Sequence, residues 1–231
     1  MIGRFLELGL PSASVLDSIG FYEELGFRQL NTGDIWQYPY AVLSDGRINI
    51  GLHDAPLAAP MLTFVLPDLA SEIIEFRSRG IDFITAQTSD DQFNELVFAD
   101  PDGNHVRIIE ARTFSPAHFE QVESKCGRFR EITLPVRDLE MAAAYWQRLG
   151  LDELGSADEP HPHVWLRGDG IVIGLHQSAA MKQPALSFQS ENLSKQLAAL
   201  RHIGIETTTD APIGVAALAT PEAVAIYLHG L

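Results

Sequence analysis

Cysteine is nearly missing from this chain: Cys126 is the only one among 231 residues, so no internal disulfide forms and the fold has to rest on packing. No run of about 18 apolar residues occurs, and the N-terminus lacks the basic-then-apolar pattern of a secretory leader. These absences lead to the expectation of a cytoplasmic protein with no membrane partner. Positive charge is scarce too. The 16 Lys and Arg residues stand against 31 Asp and Glu, a formal net charge of −15, whereas a nucleic-acid partner calls for concentrated Lys and Arg. Neither a Gly-x-Gly-x-x-Gly loop nor a phosphate loop is present, and no serine sits in a Gly-x-Ser-x-Gly elbow. Cys126 has no base beside it in sequence, which argues against a nucleophilic role.

What the chain does have is a repeat. Arg4-Phe5 and Glu7-Leu8-Gly9-Leu10-Pro11 are echoed 124 positions later by Arg128-Phe129 and Glu131-Ile132-Thr133-Leu134-Pro135. Phe21-Tyr22 with Leu25-Gly26-Phe27 returns as Tyr145-Trp146 with Leu149-Gly150-Leu151, and Ile50-Gly51-Leu52-His53 returns as Ile173-Gly174-Leu175-His176. Only the last stretch slips: Ala99-Asp100-Pro101-Asp102 pairs with Ala219-Thr220-Pro221-Glu222, as if the second half had lost a few loop residues. A constant period fixes the architecture before any local motif is weighed. The expected organisation is a first domain over 1–111, a polar linker over 112–127 with some helix from Pro116 to Glu123, and a second domain over 128–231.

Periodicity within each half is ordered. Phe5 to Leu10 alternates at period two, as a strand does, and Val15, Leu16, Ile19, Tyr22 and Leu25 follow at helical spacing. Gly26 suits the left-handed residue that closes a helix. Strands follow over Phe27–Leu30, Tyr38–Leu43 and Ile48–His53, the last two separated by the turn Ser44-Asp45-Gly46. A second such unit runs from a strand at Met61–Val65 through a helix at Leu69–Arg79 to strands at Phe83–Ala86, Glu95–Ala99 and Val106–Glu110. The expected class is α+β, with four βαβββ modules, two per half.

The run Leu-Pro before an amphipathic helix ending in Phe21-Tyr22-Glu23-Glu24-Leu25-Gly26-Phe27, and the turn Phe98-Ala99-Asp100-Pro101-Asp102-Gly103-Asn104 before the last strand, resemble the vicinal oxygen chelate superfamily. That group includes glyoxalase I, extradiol dioxygenases, methylmalonyl-CoA epimerase, and the fosfomycin and bleomycin resistance proteins. The resemblance implies paired modules whose mostly antiparallel sheets curl into a U-shaped cleft, with a divalent metal inside it in the enzymes. It also implies metal ligands on the first strand of each module and on the last strand. Those places fall here on Glu7, near Met61, and on Arg107 in the first half, and on Glu131, near Ala185 or Leu186, and on Tyr227 in the second. An arginine is a permanent cation with donors only and cannot stand in for a ligating carboxylate. The expectation is therefore no metal cofactor, with Glu7 paired to Arg107 in its place. A shifted site for one divalent ion, gathered from Glu7, His53, Glu131 and His176, is the alternative.

Aromatic and imidazole side chains gather on matching strands: Trp36, Tyr38 and Tyr40 in the first half, His161, His163 and Trp165 in the second. Flat rings with polar edges suit a mostly apolar organic ligand. Trp36, Tyr38, His53, Arg107, Trp165 and His176 are the candidate ligand-binding residues, with the first half expected to hold the ligand. His118, His202 and His229 have no constellation around them and read as surface or loop residues. The leading reading is a metal-independent binder of a small apolar or aromatic molecule, of the bleomycin-resistance type, with a homodimer among its expected partners. One alternative is a glyoxalase-type lyase or isomerase, or a dioxygenase-like enzyme, with a shifted metal or with Glu7 or Glu131 as acid-base catalyst. Another is a structural or regulatory module whose cleft is filled by its own side chains.

Overall fold

In a computed structural model, the protein is described over residues 1–32, 36–89, 93–111, 121–122 and 124–231. The first half contains β1 (Arg4–Pro11), α1 (Val15–Glu24), β2 (Arg28–Leu30), β3 (Tyr40–Ser44), β4 (Asn49–His53), β5 (Met61–Leu66), α2 (Leu69–Ser78), β6 (Phe83–Gln87), β7 (Glu95–Ala99) and β8 (His105–Glu110). The second contains β9 (Arg128–Pro135), α3 (Leu139–Arg148), β10 (Asp152–Ala157), β11 (His163–Gly168), β12 (Ile171–His176), β13 (Ala185–Ser190), α4 (Leu193–His202), β14 (Ala216–Ala219) and β15 (Ala225–Gly230). Three modules follow the expected βαβββ order. The fourth does not: after α4 it has two strands, and an isolated bridge from Thr208 to Ala217 stands where the missing strand would lie. Most of the expected linker helix, Pro116 to Glu123, lies outside the described residues.

Each half is one mixed, mostly antiparallel sheet, ordered β2-β3-β4-β1-β5-β8-β7-β6 and β10-β11-β12-β9-β13-β15-β14. The parallel pairs are β1 with β4 and β5 with β8 in one sheet, and β9 with β12 and β13 with β15 in the other. Strand alternation sorts the two faces. Leu8, Leu10, Ile50 and Leu52 are fully buried in the core under the helices, and their counterparts Ile132, Leu134, Ile173 and Leu175 do the same. The opposite face is concave. Trp36, just before β3, lies 5.3 Å ring to ring from Phe93, just before β7. Along a flat sheet those two strands would stand about 24 Å apart, five spacings of about 4.8 Å, so the sheet curls until its flanks meet.

Three helices start on the side chain of their own N-cap residue: Ser14 accepts from the amide of Asp17, Asp138 from Met141 and Asn192 from Lys195, while the first amide of α2 donates to Glu110 instead. Gly26 and Gly150 turn the chain out of α1 and α3 at φ of +95° and +97°, where a Cβ would clash. The halves then dock by exchange. From α1, Ser18 and Tyr22 donate hydrogen bonds to Glu222 in the last turn of the second half. From α3, the Trp146 indole N–H donates to Asp100 in the matching turn of the first half at 3.3 Å, and Arg137, just before that helix, pairs with Asp102 at 3.0 Å. A single hydrophobic cluster spans both halves, including Tyr22, Phe27, Trp146 and Phe188.

Because the core is shared, the protein should unfold in one cooperative step, with tryptophan fluorescence and far-UV circular dichroism tracing the same urea transition. Asp100→Ala removes the acceptor of a buried indole and should lower stability by about 1–3 kcal/mol without splitting the transition. Two separated transitions would show that the halves fold independently.

Candidate functional site

The concave face of the first sheet carries Glu7 and Gly9 from β1 and Asn49, Gly51 and His53 from β4. Glu7 and His53 are 1% and 0% exposed. A carboxylate taken out of water is costly unless its oxygens are satisfied. Glu7 Oε1 lies 3.0 Å from His53 Nε2, and its Oε2 accepts a short hydrogen bond from the Tyr40 hydroxyl. His53 Nδ1 in turn meets the Tyr38 hydroxyl at 3.1 Å. With the proton on Nε2 facing the carboxylate, Nδ1 is free to accept from Tyr38. Burial, reinforced by the Glu7 charge, pushes the Tyr40 hydroxyl pKa far up, so Tyr40 stays a donor. The repeated Ile-Gly-Leu-His motif now has a cause: a Cβ on Gly51 would sit 2.4 Å from the Glu7 carboxyl group.

The second half builds the same chain with different ends. Glu131 is fully buried and His176 is 3% exposed. Glu131 Oε1 lies 2.7 Å from His176 Nε2 and 3.2 Å from the Thr133 hydroxyl, while Oε2 accepts a short bond from the Trp165 indole and lies 3.4 Å from Arg130 Nε. Burial pushes the Glu131 pKa up, but the hydrogen bond and charge of His176, with Arg130 and Trp165, outweigh it and hold the group below the usual carboxylate range. His176 Nδ1 meets His161 Nε2 at 3.0 Å, where the first half has Tyr38. His163, at the place of Tyr40, stacks on His176 with rings 4.9 Å apart and 4° from parallel. Burial, then the neighbouring His176 and His163, lowers the His161 pKa. Gly174 repeats the role of Gly51, since a Cβ there would lie 2.5 Å from Glu131 Oε1 and 2.8 Å from His176 Nε2.

The clefts differ in what fills them. Trp36 stacks on Tyr38 at 5.6 Å, meets His53 at 5.8 Å and Phe93 at 5.3 Å, and lies under the Arg107 guanidinium at 5.1 Å. It bridges both walls of the first cleft. Its counterpart by the repeat, Glu159, is exposed. Across the second cleft, register places Ser187 and Tyr227 in line with Glu131, and Ala185 in line with Thr133. Met181, Ala185, Ile213, Ala217 and Tyr227 form an apolar cluster there, separate from the main core.

Several expectations change. Glu7 does not pair with Arg107. Thr63 on β5 stands between them, opposite both, which puts their backbones about 10 Å apart at two strand spacings. Arg107 turns to Glu95 on β7 instead, with 3.3 Å between Nε and the carboxylate. Met61, and Ala185 or Leu186, are not the middle ligand places, because the residues opposite Glu7 and Glu131 are Thr63 and Ser187. His229 is no free surface residue: it is half-buried beside Ser187 and Arg130, and burial with the Arg130 charge pushes its pKa down to about 4. His118 lies outside the described residues. Glu7 and Glu131 are sealed in and satisfied, so each positions a histidine and neither reaches a ligand. The Asp100–Asn104 turn holds Trp146 across the halves, so its loss from the second half does not mark the poorer cleft. Cavities of about 640, 330 and 720 Å³ lie outside the rows built on His53 and His176, and the last borders the second cleft at Pro135 and Met181.

The metal row implied by the resemblance therefore reads Glu7, Thr63, Arg107 in one half and Glu131, Ser187, Tyr227 in the other. Neither fits a divalent ion. The first holds a permanent cation, and the second offers hydroxyls beside a carboxylate already engaged by His176, Thr133, Trp165 and Arg130. The quartet Glu7, His53, Glu131 and His176 does not converge either, since its two pairs sit in separate sheets. Among the described residues, the group whose ligand atoms lie within 4.8 Å of one another is His161, His163 and His176. That favours a shifted site over the expectation of no metal. The sequence held a signal for it, a His-x-His at 161 and 163 with His176 in the repeated motif.

Four substitutions test this geometry. Gly174→Ala should displace Glu131 from His176 and cost about 1–3 kcal/mol in urea unfolding. In double-mutant cycles, Arg107→Ala should be additive with Glu7→Gln to within about 0.5 kcal/mol but coupled to Glu95→Gln by about 0.5–1 kcal/mol. Strong coupling to Glu7 would contradict the register.

No protein-family model matches the sequence, and no curated protein matches it. Solved structures do. A catechol 2,3-dioxygenase superposes with a TM-score of 0.65 at 16% identity, over 99% of this chain and 87% of its own. An extradiol ring-cleaving dioxygenase from B. fuscum gives 0.65 at 15% identity, over 97% of this chain and 70% of that one. BphC, a halotolerant catechol dioxygenase, gives 0.62 at 14% identity, over 100% of this chain and 87% of its own. With its strand order and doubled modules, the chain has the fold of the vicinal oxygen chelate superfamily, to which the extradiol dioxygenases belong.

Proposed function

We propose that this protein binds a small, mostly apolar or aromatic molecule in the cleft of its second half, while the first half serves as a closed scaffold. The carrying observation is the asymmetry at Trp36. The first cleft is occupied by the protein's own indole, wedged among Tyr38, His53, Phe93 and Arg107. The second has the exposed Glu159 at that place, and its sheet carries His163 and Trp165 on β11 at one flank and Tyr227, clustered with Met181 and Ile213, at the other. An apolar surface facing a few oriented polar groups is the usual make-up of a small-molecule site.

The similar structures are dioxygenases of catechol and of homoprotocatechuate. Their reaction does not carry over through the row Glu131, Ser187, Tyr227, whose donors do not suit a metal. Catechol itself remains a sensible probe of the cleft, because it is a compact ring with two vicinal oxygens. Enzymatic acid-base chemistry, if present, would run through His161, the partly exposed end of the chain that begins at Glu131.

The test uses the three tryptophans, 36, 146 and 165. Titration with phenol, benzoate and catechol should give saturable quenching that survives Trp36→Phe and disappears in Trp165→Phe. Quenching that vanishes with Trp36→Phe and persists in Trp165→Phe would move the site to the first half. No saturable quenching in any variant would leave both halves as scaffold.

A further inference from the structure

We propose that His161, His163 and His176 form a binding site for one divalent transition-metal ion, of the zinc, cobalt or nickel kind, with Glu131 behind it. The inference goes beyond ligand binding in the second cleft and does not depend on it.

Protonation follows from each ring's other partner. His176 Nε2 faces Glu131 Oε1 at 2.7 Å and must carry the proton there, which leaves Nδ1 as a lone pair. His163 Nδ1 faces the carbonyl oxygen of His161 at 2.8 Å and must donate, which leaves Nε2 free. His161 Nε2 already points at His176 Nδ1 at 3.0 Å, and its neutral ring has only to move its proton to Nδ1 to present a third lone pair. One nitrogen from each of the three rings lies within 4.8 Å of the other two. Three nitrogens about 2.1 Å from a common tetrahedral ion would stand about 3.4 Å apart, so the group draws in by up to about 1.4 Å. His161 is the member able to move. It is half-buried and precedes β11; His163 must also turn its ring about the Cβ–Cγ bond on binding, because it is stacked 4° from parallel on His176 and imidazole lone pairs lie in the ring plane.

The surroundings are those of a held ligand set. A ligating histidine is usually oriented by a carboxylate or backbone carbonyl on its other nitrogen, and here His176 has the first and His163 the second. Three imidazoles select borderline transition ions over magnesium or calcium, which take oxygen ligands. The remaining coordination position would face the cleft. The first half is a built-in contrast, because it carries Tyr38 and Tyr40 where the second has His161 and His163.

The experiment is titration of the metal-free full chain with cobalt(II) and zinc(II), without any organic compound present, followed by calorimetry and by the visible absorption of bound cobalt. One ion per chain is expected, with no saturable binding of magnesium. His161→Gln, His161→Tyr and His163→Gln should each weaken binding by more than about 100-fold, and Glu131→Gln by about 10–100-fold, the range for an outer carboxylate. His202→Gln, at the exposed end of α4, should bind as the parent does. Circular dichroism verifies that each variant is folded, and the two His161 variants leave the buried sheet intact should His163→Gln fail to fold. The proposal is overturned if the parent shows no saturable binding, or if folded His161→Gln and His161→Tyr bind as tightly as the parent.

Discussion

A buried carboxylate bonded to a buried imidazole is the constraint on which each half of this protein depends. Glu7 with His53, and Glu131 with His176, sit where β1 meets β4 and β9 meets β12, on the concave side of each sheet. Leaving either carboxylate unpaired in that position would be costly, so neighbouring residues are fixed around it. Gly51 and Gly174 are glycines because the carboxylates lie where a Cβ would be. Tyr40 and Trp165 supply the second donor from different strand positions, which shows that the donor is required while its side chain is not.

From this common element the halves diverge at its far end. In the first, the chain of hydrogen bonds ends on Tyr38, and Trp36 lies against it and closes the cleft. In the second, it ends on His161, with His163 stacked on His176, and the exposed Glu159 stands at the place of Trp36. A phenol with a raised pKa holds its proton, while a neutral imidazole also offers a lone pair. One chain thereby ends in a donor that keeps its proton and the other in a group that also offers a lone pair. The exchange of Glu222 and Asp100 with α1 and α3 locks the two together, so each half supports the other.

The fold was largely legible in the sequence because it is written twice. Repeat spacing, strand alternation and the glycines after α1 and α3 specify modules through local rules, and the elements found differ from those expected mainly by a residue or two at their ends. The exception is the fourth module, where Thr208 contributes only a bridge; the slipped spacing before Thr220 signalled a loss without saying which element had gone. Glu7, Glu131, His53 and His176 also stood out, since charged and imidazole groups on strands with apolar neighbours have few bland explanations.

What sequence could not supply was distance across strands. Whether Arg107 meets Glu7 depends on which strand lies between them, and β5 joins that position only through pairing with β1 and β8. The convergence of His161 with His176 likewise arises from the antiparallel register of β11 on β12 and from the turn that brings residue 161 back over the sheet. The sequence by itself determined the doubled modules and which side chains face inward, because alternation and helical spacing are local. Only the tertiary structure decided which of those side chains touch, and that Trp36 spans the first cleft, because curl and strand order place residues far apart in the chain side by side.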